Sequence, residues 1–325
     1  PICGPGADRL NDVRSAAASP FTGPYLFVGE TTDPNWTGFA ATGAAAGATD
    51  AVLGWFGAAD KSILVAGGSG ADSVKSIRAI PGTTTDWIVA GETESTDFAR
   101  KSKPDRDVWV ARFSSSTLRL DGVRAWGGSG DERLAGMAVL RGHGVMLAGS
   151  TASADLPAPA AGSQFNGGAS DGFAAWLDPV DFSPLQSRYL GGPGADEILS
   201  LNAWSNDLFL AGFTDSPSLA IDGLLPGSDP FGQQDGLFIH TDALLNPIVA
   251  YRSGGSGNDR FTSAEPAAWG RVSLAGWSES RPWLSTLDPF APPGDNVAAF
   301  ALTLRYAVIA GLSGPSPTLT LGRDL

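Results

Sequence analysis

A Gly-Gly-x-Gly punctuation closed by an acid recurs five times along this chain, and a repeat of that length fixes the folding unit before any other feature is read. The copies are Cys3-Gly4-Pro5-Gly6-Ala7-Asp8, Gly67-Gly68-Ser69-Gly70-Ala71-Asp72, Gly127-Gly128-Ser129-Gly130-Asp131, Gly191-Gly192-Pro193-Gly194-Ala195-Asp196 and Gly254-Gly255-Ser256-Gly257-Asn258-Asp259. A degenerate sixth, Gly311-Leu312-Ser313-Gly314, ends the series. From Gly6 to Gly70, Gly130, Gly194, Gly257 and Gly314 the steps are 64, 60, 64, 63 and 57 residues. Such steps are too long for one coil of a solenoid and suit four short strands with their turns.

Within each repeat four apolar runs follow in a fixed order. The first is Val74 to Ile80, Leu134 to Leu140 and Ile198 to Trp204, with looser copies from Leu10 and Phe261; Pro266 predicts an irregular strand in the last. The second run is short, apolar and ends in Gly29, Gly91, Gly149, Gly212 or Gly276, as a buried strand does where it turns or meets another backbone closely. Two residues later every copy has a hydroxyl, Thr31, Thr93, Thr151, Thr214 or Ser278, and seven later a large apolar side chain, Trp36, Phe98, Leu156, Leu219 or Trp283. An Asp opens the third run: Asp50, Asp107, Asp171, Asp235 and Asp295. The fourth leads into the next punctuation, in the last copy as Arg305 to Ala310.

Four strands per unit and five units predict an all-β fold, a five-bladed β-propeller of four-stranded antiparallel blades. The blades would span residues 4–66, 68–126, 128–190, 192–253 and 255–311 of a single domain, 1–314, followed by a tail strand at 315–325. The motifs also resemble the SBBP-type β-propeller repeat of bacterial surface and secreted proteins. Ala90-Gly91-Glu92-Thr93-Glu94-Ser95-Thr96-Asp97-Phe98 and Asp107-Val108-Trp109-Val110-Ala111-Arg112-Phe113 carry the resemblance best. It implies a propeller and an exported bacterial protein, extracellular or at the cell surface, and brings no catalytic residues with it.

Composition narrows the partners. The net charge is −13 and only four of the 21 basic residues are Lys, so no basic surface for nucleic acid is expected. No apolar run reaches the length of a membrane helix, so no membrane insertion is expected. Cys3, the one cysteine, takes the place of a punctuation glycine and cannot form an internal disulfide. There is no signal-peptide pattern, and a start inside a repeat is read as a leader removed or not included.

Chemistry is poorly supported. Three punctuations fit the nine-residue unit of calcium-binding β-rolls, but that ion needs stacked neighbours every nine residues, whereas these recur about every sixty. No metal and no cofactor are therefore expected. The Asp and hydroxyl rings are expected to bond within their own blades, because a buried polar group without a partner costs roughly 1–3 kcal/mol. His143 lies in a Gly-rich turn and His240 ends a strand, with no second His or Cys at ligand spacing, so neither triad nor zinc is expected. The singular acids Glu132, Glu197 and Glu265 read as scattered turn residues.

The segments between second and third strands vary and present Phe39, Phe165, Phe231 and Phe290, candidates for a binding face on a rigid scaffold. The tail Thr318-Leu319-Thr320-Leu321 alternates like a strand and must pair, either with its own outer blade or with a neighbouring molecule. The expected function is a non-enzymatic extracellular structural module that self-assembles as a surface or filament subunit. The alternative is a propeller that binds a surface glycan or protein, and a glycoside hydrolase stands third.

Overall fold

The computed structural model describes residues 6–16, 24–33, 35–36, 38–43, 45–57, 61–83, 85–225, 232–267 and 271–280, together with the backbone of 298–305. Among them every regular element is a strand.

Each repeat makes one sheet whose strands meander in chain order. The first holds β1 (Asp8–Ser15), β2 (Tyr25–Thr31), β4 (Asp50–Phe56) and β5 (Lys61–Ala66), with the short β3 (Ala40–Thr42) added outside β5. The second is β6 (Asp72–Ala79), β7 (Asp86–Thr93), β8 (Asp107–Ser114) and β9 (Arg119–Trp126). The third is β10 (Glu132–Leu140), β11 (Gly144–Thr151), β12 (Asp171–Leu177) and β13 (Pro184–Leu190). The fourth is β14 (Asp196–Trp204), β15 (Asp207–Thr214), β16 (Asp235–Thr241) and β17 (Pro247–Ser253). The fifth is β18 (Asp259–Ala267), β19 (Arg271–Ser278) and β20 (Ala298–Arg305).

The chain divides into two compact units. One comprises Pro1–Met146, Ser153–Ala158 and Leu177–Leu185; the other comprises Leu147–Ala152, Pro159–Trp176 and Gln186–Leu325. In the first unit Leu26, Val28, Leu53, Val74, Ile77, Val89 and Trp109 pack as one core between the sheets. In the second, Phe209, Phe238, Tyr251, Phe261 and Leu274 do the same. The middle strands are buried on both faces (β16 along its whole length), which is why they read as continuous apolar runs rather than alternating ones.

The glycine that ends each second run has a specific cause. The first strand of the sheet carries a bulge, at Leu10/Asp12, Val74/Ser76, Ile198/Ser200 and Phe261/Ser263, and the residue before it faces Gly29, Gly91, Gly212 and Gly276. The bulge drives a backbone carbonyl toward the glycine. A Cβ on Gly91 would sit 1.8 Å from the Ser73 oxygen, and one on Gly212 equally close to that of Glu197.

Two expectations for the last repeat need correction. The irregularity of the strand containing Pro266 is the bulge at Phe261/Ser263 and not the proline: β18 pairs with β19 through Pro266↔Val272 and Ala267↔Arg271. It ends its sheet, where a residue without N–H costs no ladder bond if that side faces outward. The third strand of that sheet also lies later than the motif suggested. Its register sets Ala298 opposite Ser278, the place that Asp50, Asp107 and Asp235 hold in other sheets. Arg305, read as opening a fourth strand, belongs to β20. Asp295 itself, Trp283 and residues 306–325, with Thr318, Leu319, Thr320 and Leu321, lie outside the described residues.

Candidate functional site

The repeated polar residues assemble into one latch, built where each sheet hands over to the next. The backbone N–H of the acid that opens a first strand donates to a carbonyl just before the previous sheet's third strand: Asp72 to Thr49, Glu132 to Arg106, Asp196 to Ser170 and Asp259 to Gln234, at 2.7–2.9 Å. Its carboxylate then accepts the second punctuation glycine's N–H, as Gly68 to Asp72 Oδ2 at 2.8 Å and Gly192 to Asp196 Oδ2 at 2.8 Å. The same oxygen receives a serine hydroxyl, Ser95 at 2.6 Å or Ser216 at 2.8 Å. That serine's oxygen accepts the third glycine's N–H in turn, Gly70 at 2.8 Å or Gly194 at 2.9 Å. Its backbone N–H is held by Thr93 or Thr214 at 3.0 Å. The fifth sheet repeats the pattern with Asp259, Ser280 and Ser278. In the first, Thr31 donates to Asp8 at 2.6 Å and Asp33 N–H to Thr31 at 3.1 Å.

The third copy corrects the sequence reading of Glu132. That residue is fully buried and does the work of Asp72: Gly128 N–H donates to its Oε2 at 2.9 Å and Ser153 to its Oε1 at 2.5 Å. Asp131, which closed the motif in the sequence, instead accepts the Arg106 N–H near the surface at 3.1 Å. The acid stands five residues after the first punctuation position in every copy, and that constant step is the signal that identifies Glu132.

The Asp residues opening third strands complete the latch from the other side. Asp50, Asp171 and Asp235 are buried, and each lies with the next sheet's acid against one glycine. A Cβ on Gly191 would meet Asp171 Oδ1 at 2.5 Å and Asp196 Oδ2 at 2.6 Å; Gly67 and Gly254 are enclosed in the same way. Burial pushes the Asp171 carboxyl up to about 7, against the Asn166 N–H that lowers it and with the Asp196 charge that raises it. Burial likewise raises Asp196 and Asp50, the latter with help from the Asp72 charge. Asp107 is raised by burial too, but Lys101, itself buried, sits 3.2 Å from its Oδ2 and opposes that shift.

Because the Ser216 hydroxyl serves two groups at once, Ser216→Ala is expected to cost about 2 kcal/mol: it strips the Gly194 amide of its acceptor and Asp196 of a donor. Urea unfolding of the two proteins checks this, and a loss below about 0.5 kcal/mol would assign the latch no energetic role.

The loops after the second strands run along the outer edge of their own sheets. β3 pairs parallel with β5, Pro159 bridges Ser187 and Leu224 bridges Ala250 in the same sense, and Ala125 N–H donates to Ala99 at 2.9 Å. Phe39 packs edge-on against Phe27 and Trp36 at 6.0 and 5.8 Å, and Phe165 edge-on against Tyr189 at 6.1 Å. Both aromatics therefore tie a loop to its sheet. Phe231 and Phe290 lie outside the described residues. Thr151 is buried at the end of β11, the place in the strand that Thr31, Thr93, Thr214 and Ser278 hold in theirs. His240 stacks on Phe209 with centroids 4.6 Å apart, and its Nε2 lies 3.1 Å from Asp207 Oδ2.

One cleft in the first unit has no counterpart in the sequence reading. It holds about 260 Å³ at the ends of β2 and β7 and the start of β6, and its charged walls are Glu30, Lys75, Glu92, Glu94 and Arg106 beside Asp72. The Lys75 ammonium stands 3.8 Å from Glu30 Oε2 and 3.7 Å from Glu92 Oε2. Arg106 pairs with Glu94 at 2.5 Å, and Glu92 Oε1 accepts the Leu134 N–H at 2.9 Å. In the second unit, positions matching Glu30 and Glu92 in the register are Phe213 and Trp277, which flank the Arg260 guanidinium at 4.0 and 5.2 Å. Gln234 Oε1 fixes that guanidinium at 2.6 Å, so the stack is closed on itself. Among the described residues no set of three or more His, Cys, Asp or Glu side chains converges as metal ligands would. No protein-family model matches the chain, and no curated protein matches it.

Proposed function

We propose that this chain is a five-bladed β-propeller of the SBBP type and a non-enzymatic structural module outside a bacterial cell, which assembles by strand addition at its last sheet. The observation that carries this reading is the state of the sheet edges. Four sheets have a fourth strand, and in each a loop of the same repeat lies against its outer side. The Thr318–Leu321 segment alternates like a strand and is surplus to the five repeats. A strand with unused N–H and C=O groups is a template for another strand. The occupant we assign is the Thr318–Leu321 segment of a second copy, which would make a head-to-tail contact that propagates rather than closes. The acid and hydroxyl rings support a structural role because the bonds they make run to one another and to the backbone of the punctuation glycines.

Light scattering and negative-stain imaging of the full chain and of a chain ending at residue 314 test this. Ordered polymers from the first and particles near the monomer mass of 33.3 kDa from the second are the expected result. Monomers from both would overturn the assembly reading. A binding role is the second reading, and the charged cleft at the ends of β2 and β7 and the start of β6 favours it.

A further inference from the structure

We propose that this cleft binds a neutral sugar, the terminal residue of a glycan, by its adjacent hydroxyl groups; the proposal rests on the binding reading and is independent of assembly. Charge decides the class of ligand. A second cation would have to displace the Lys75 ammonium from between Glu30 and Glu92, and an anion would meet Glu30, Glu92, Glu94 and Asp72. An apolar group would find little beyond Ala71 and the side chain of Thr49 to cover it. A neutral ligand with many hydroxyls avoids all three costs.

The spacing of the charges points the same way. At 3.7 and 3.8 Å the contacts of Lys75 with Glu92 and Glu30 are ion pairs longer than hydrogen bonds. The ammonium therefore keeps donors, and the carboxylates keep acceptor sites, facing the same space. A hydroxyl both donates and accepts, so one can receive from Lys75 while giving to Glu30, and its neighbour can do the same with Glu92. Two vicinal hydroxyls thus satisfy the row Glu30, Lys75, Glu92 as no singly functional ligand would. The volume, smaller than the usual range for drug-sized ligands, suits a single ring.

The walls are held before any ligand arrives. Ser73 O accepts the Trp109 Nε1–H at 3.1 Å, Asp72 is fixed by the latch, and the Glu94–Arg106 pair forms one side. A preformed row of charges keeps the ordering cost of binding low.

The test is an array of neutral and charged glycans probed with the full-length protein, followed by calorimetry on the best neutral hit and on free glucose, galactose and mannose. Binding of a neutral glycan, weakened at least about tenfold in both Lys75→Met and Glu30→Gln, is expected. Binding of the free hexoses alone would assign the site to small sugars rather than glycan ends and would overturn the glycan assignment. Hydrogen exchange on the unsubstituted protein guards against variants that fold poorly: ligand should protect amides of residues 71–75 and 92–94. Capture of charged glycans only, no capture, unchanged affinity in both variants, or protection elsewhere would each overturn the proposal.

Discussion

Gly212→Ala is expected to be among the most damaging single-methyl additions available in this chain. The new Cβ would stand 1.8 Å from the backbone oxygen of Glu197 and 2.9 Å from the Ile198 Cα, on a strand that cannot retreat without opening its bulge. Nothing flexible is available to yield, because both atoms are backbone. The neighbouring positions Leu210, Ala211 and Phe213 are buried in the second unit, so a shift of β14 would also disturb the packing around them. Overpacking of this kind costs on the order of 3 kcal/mol. Gly82→Ala is the control: that glycine sits in a turn at φ +92° with open space around it, and its cost is confined to backbone strain of about 1–2 kcal/mol. Urea unfolding of the three proteins gives the comparison. A Gly212→Ala midpoint indistinguishable from that of Gly82→Ala would mean that the bulge, and with it the cause assigned to the Ala-Gly motif, is misjudged.

The order of strands was legible because the repeat states it five times, each copy correcting the noise in the others. The Ala-Gly glycine could be read as a turn or as a close backbone approach, and the strands, which run two residues past it, leave the second; the bulge that causes it was not legible, since one extra residue in a strand leaves no mark on composition. Glu132 was missed because the motif was closed at the first acid it reached, Asp131, rather than at a constant step from the glycines. β3 is three small residues, Ala40–Thr42, whose partner β5 is parallel and lies beyond the whole of β4, so nothing local announces it. The cleft was invisible for a related reason. Glu30 and Glu92 hold one position in two successive repeats and Lys75 another, on three strands of two sheets, and only the packing of the strands brings them together.

The buried acids of the latch make a second large effect measurable, a loss of stability as the pH rises. Asp171 is raised from its ordinary value to about 7 by burial, and its Oδ1 accepts no hydrogen bond. The folded chain therefore holds a proton on Asp171 that the unfolded chain has released by about pH 4–5. A group raised in this way contributes its full stability below its unfolded value, loses it as the pH climbs through the folded value, and adds no further loss above. For Asp171 the window runs from about pH 4 to 7 and the loss is on the order of 3 kcal/mol. Asp50, Asp107 and Asp196 are raised as well and act in the same direction. Asp97 and Asp155 are lowered by their bonds to Ser69 and Ser129, so their contribution is lost only in more acid solution, below this window. His240 is lowered by burial and opposes the trend, gaining stability as the pH approaches 6.5. Asp171→Asn separates these contributions. The amide keeps an oxygen for the Asn166 N–H and cannot ionise, so it supplies permanently the neutral form that the acid must otherwise hold a proton to reach. Urea unfolding of both proteins from about pH 5.5 to 8.5, clear of the isoelectric point near 4.5, should show the wild type falling while the variant stays flatter and overtakes it above pH 7. Parallel profiles would mean that Asp171 ionises freely in the folded chain and that the latch stores no proton there.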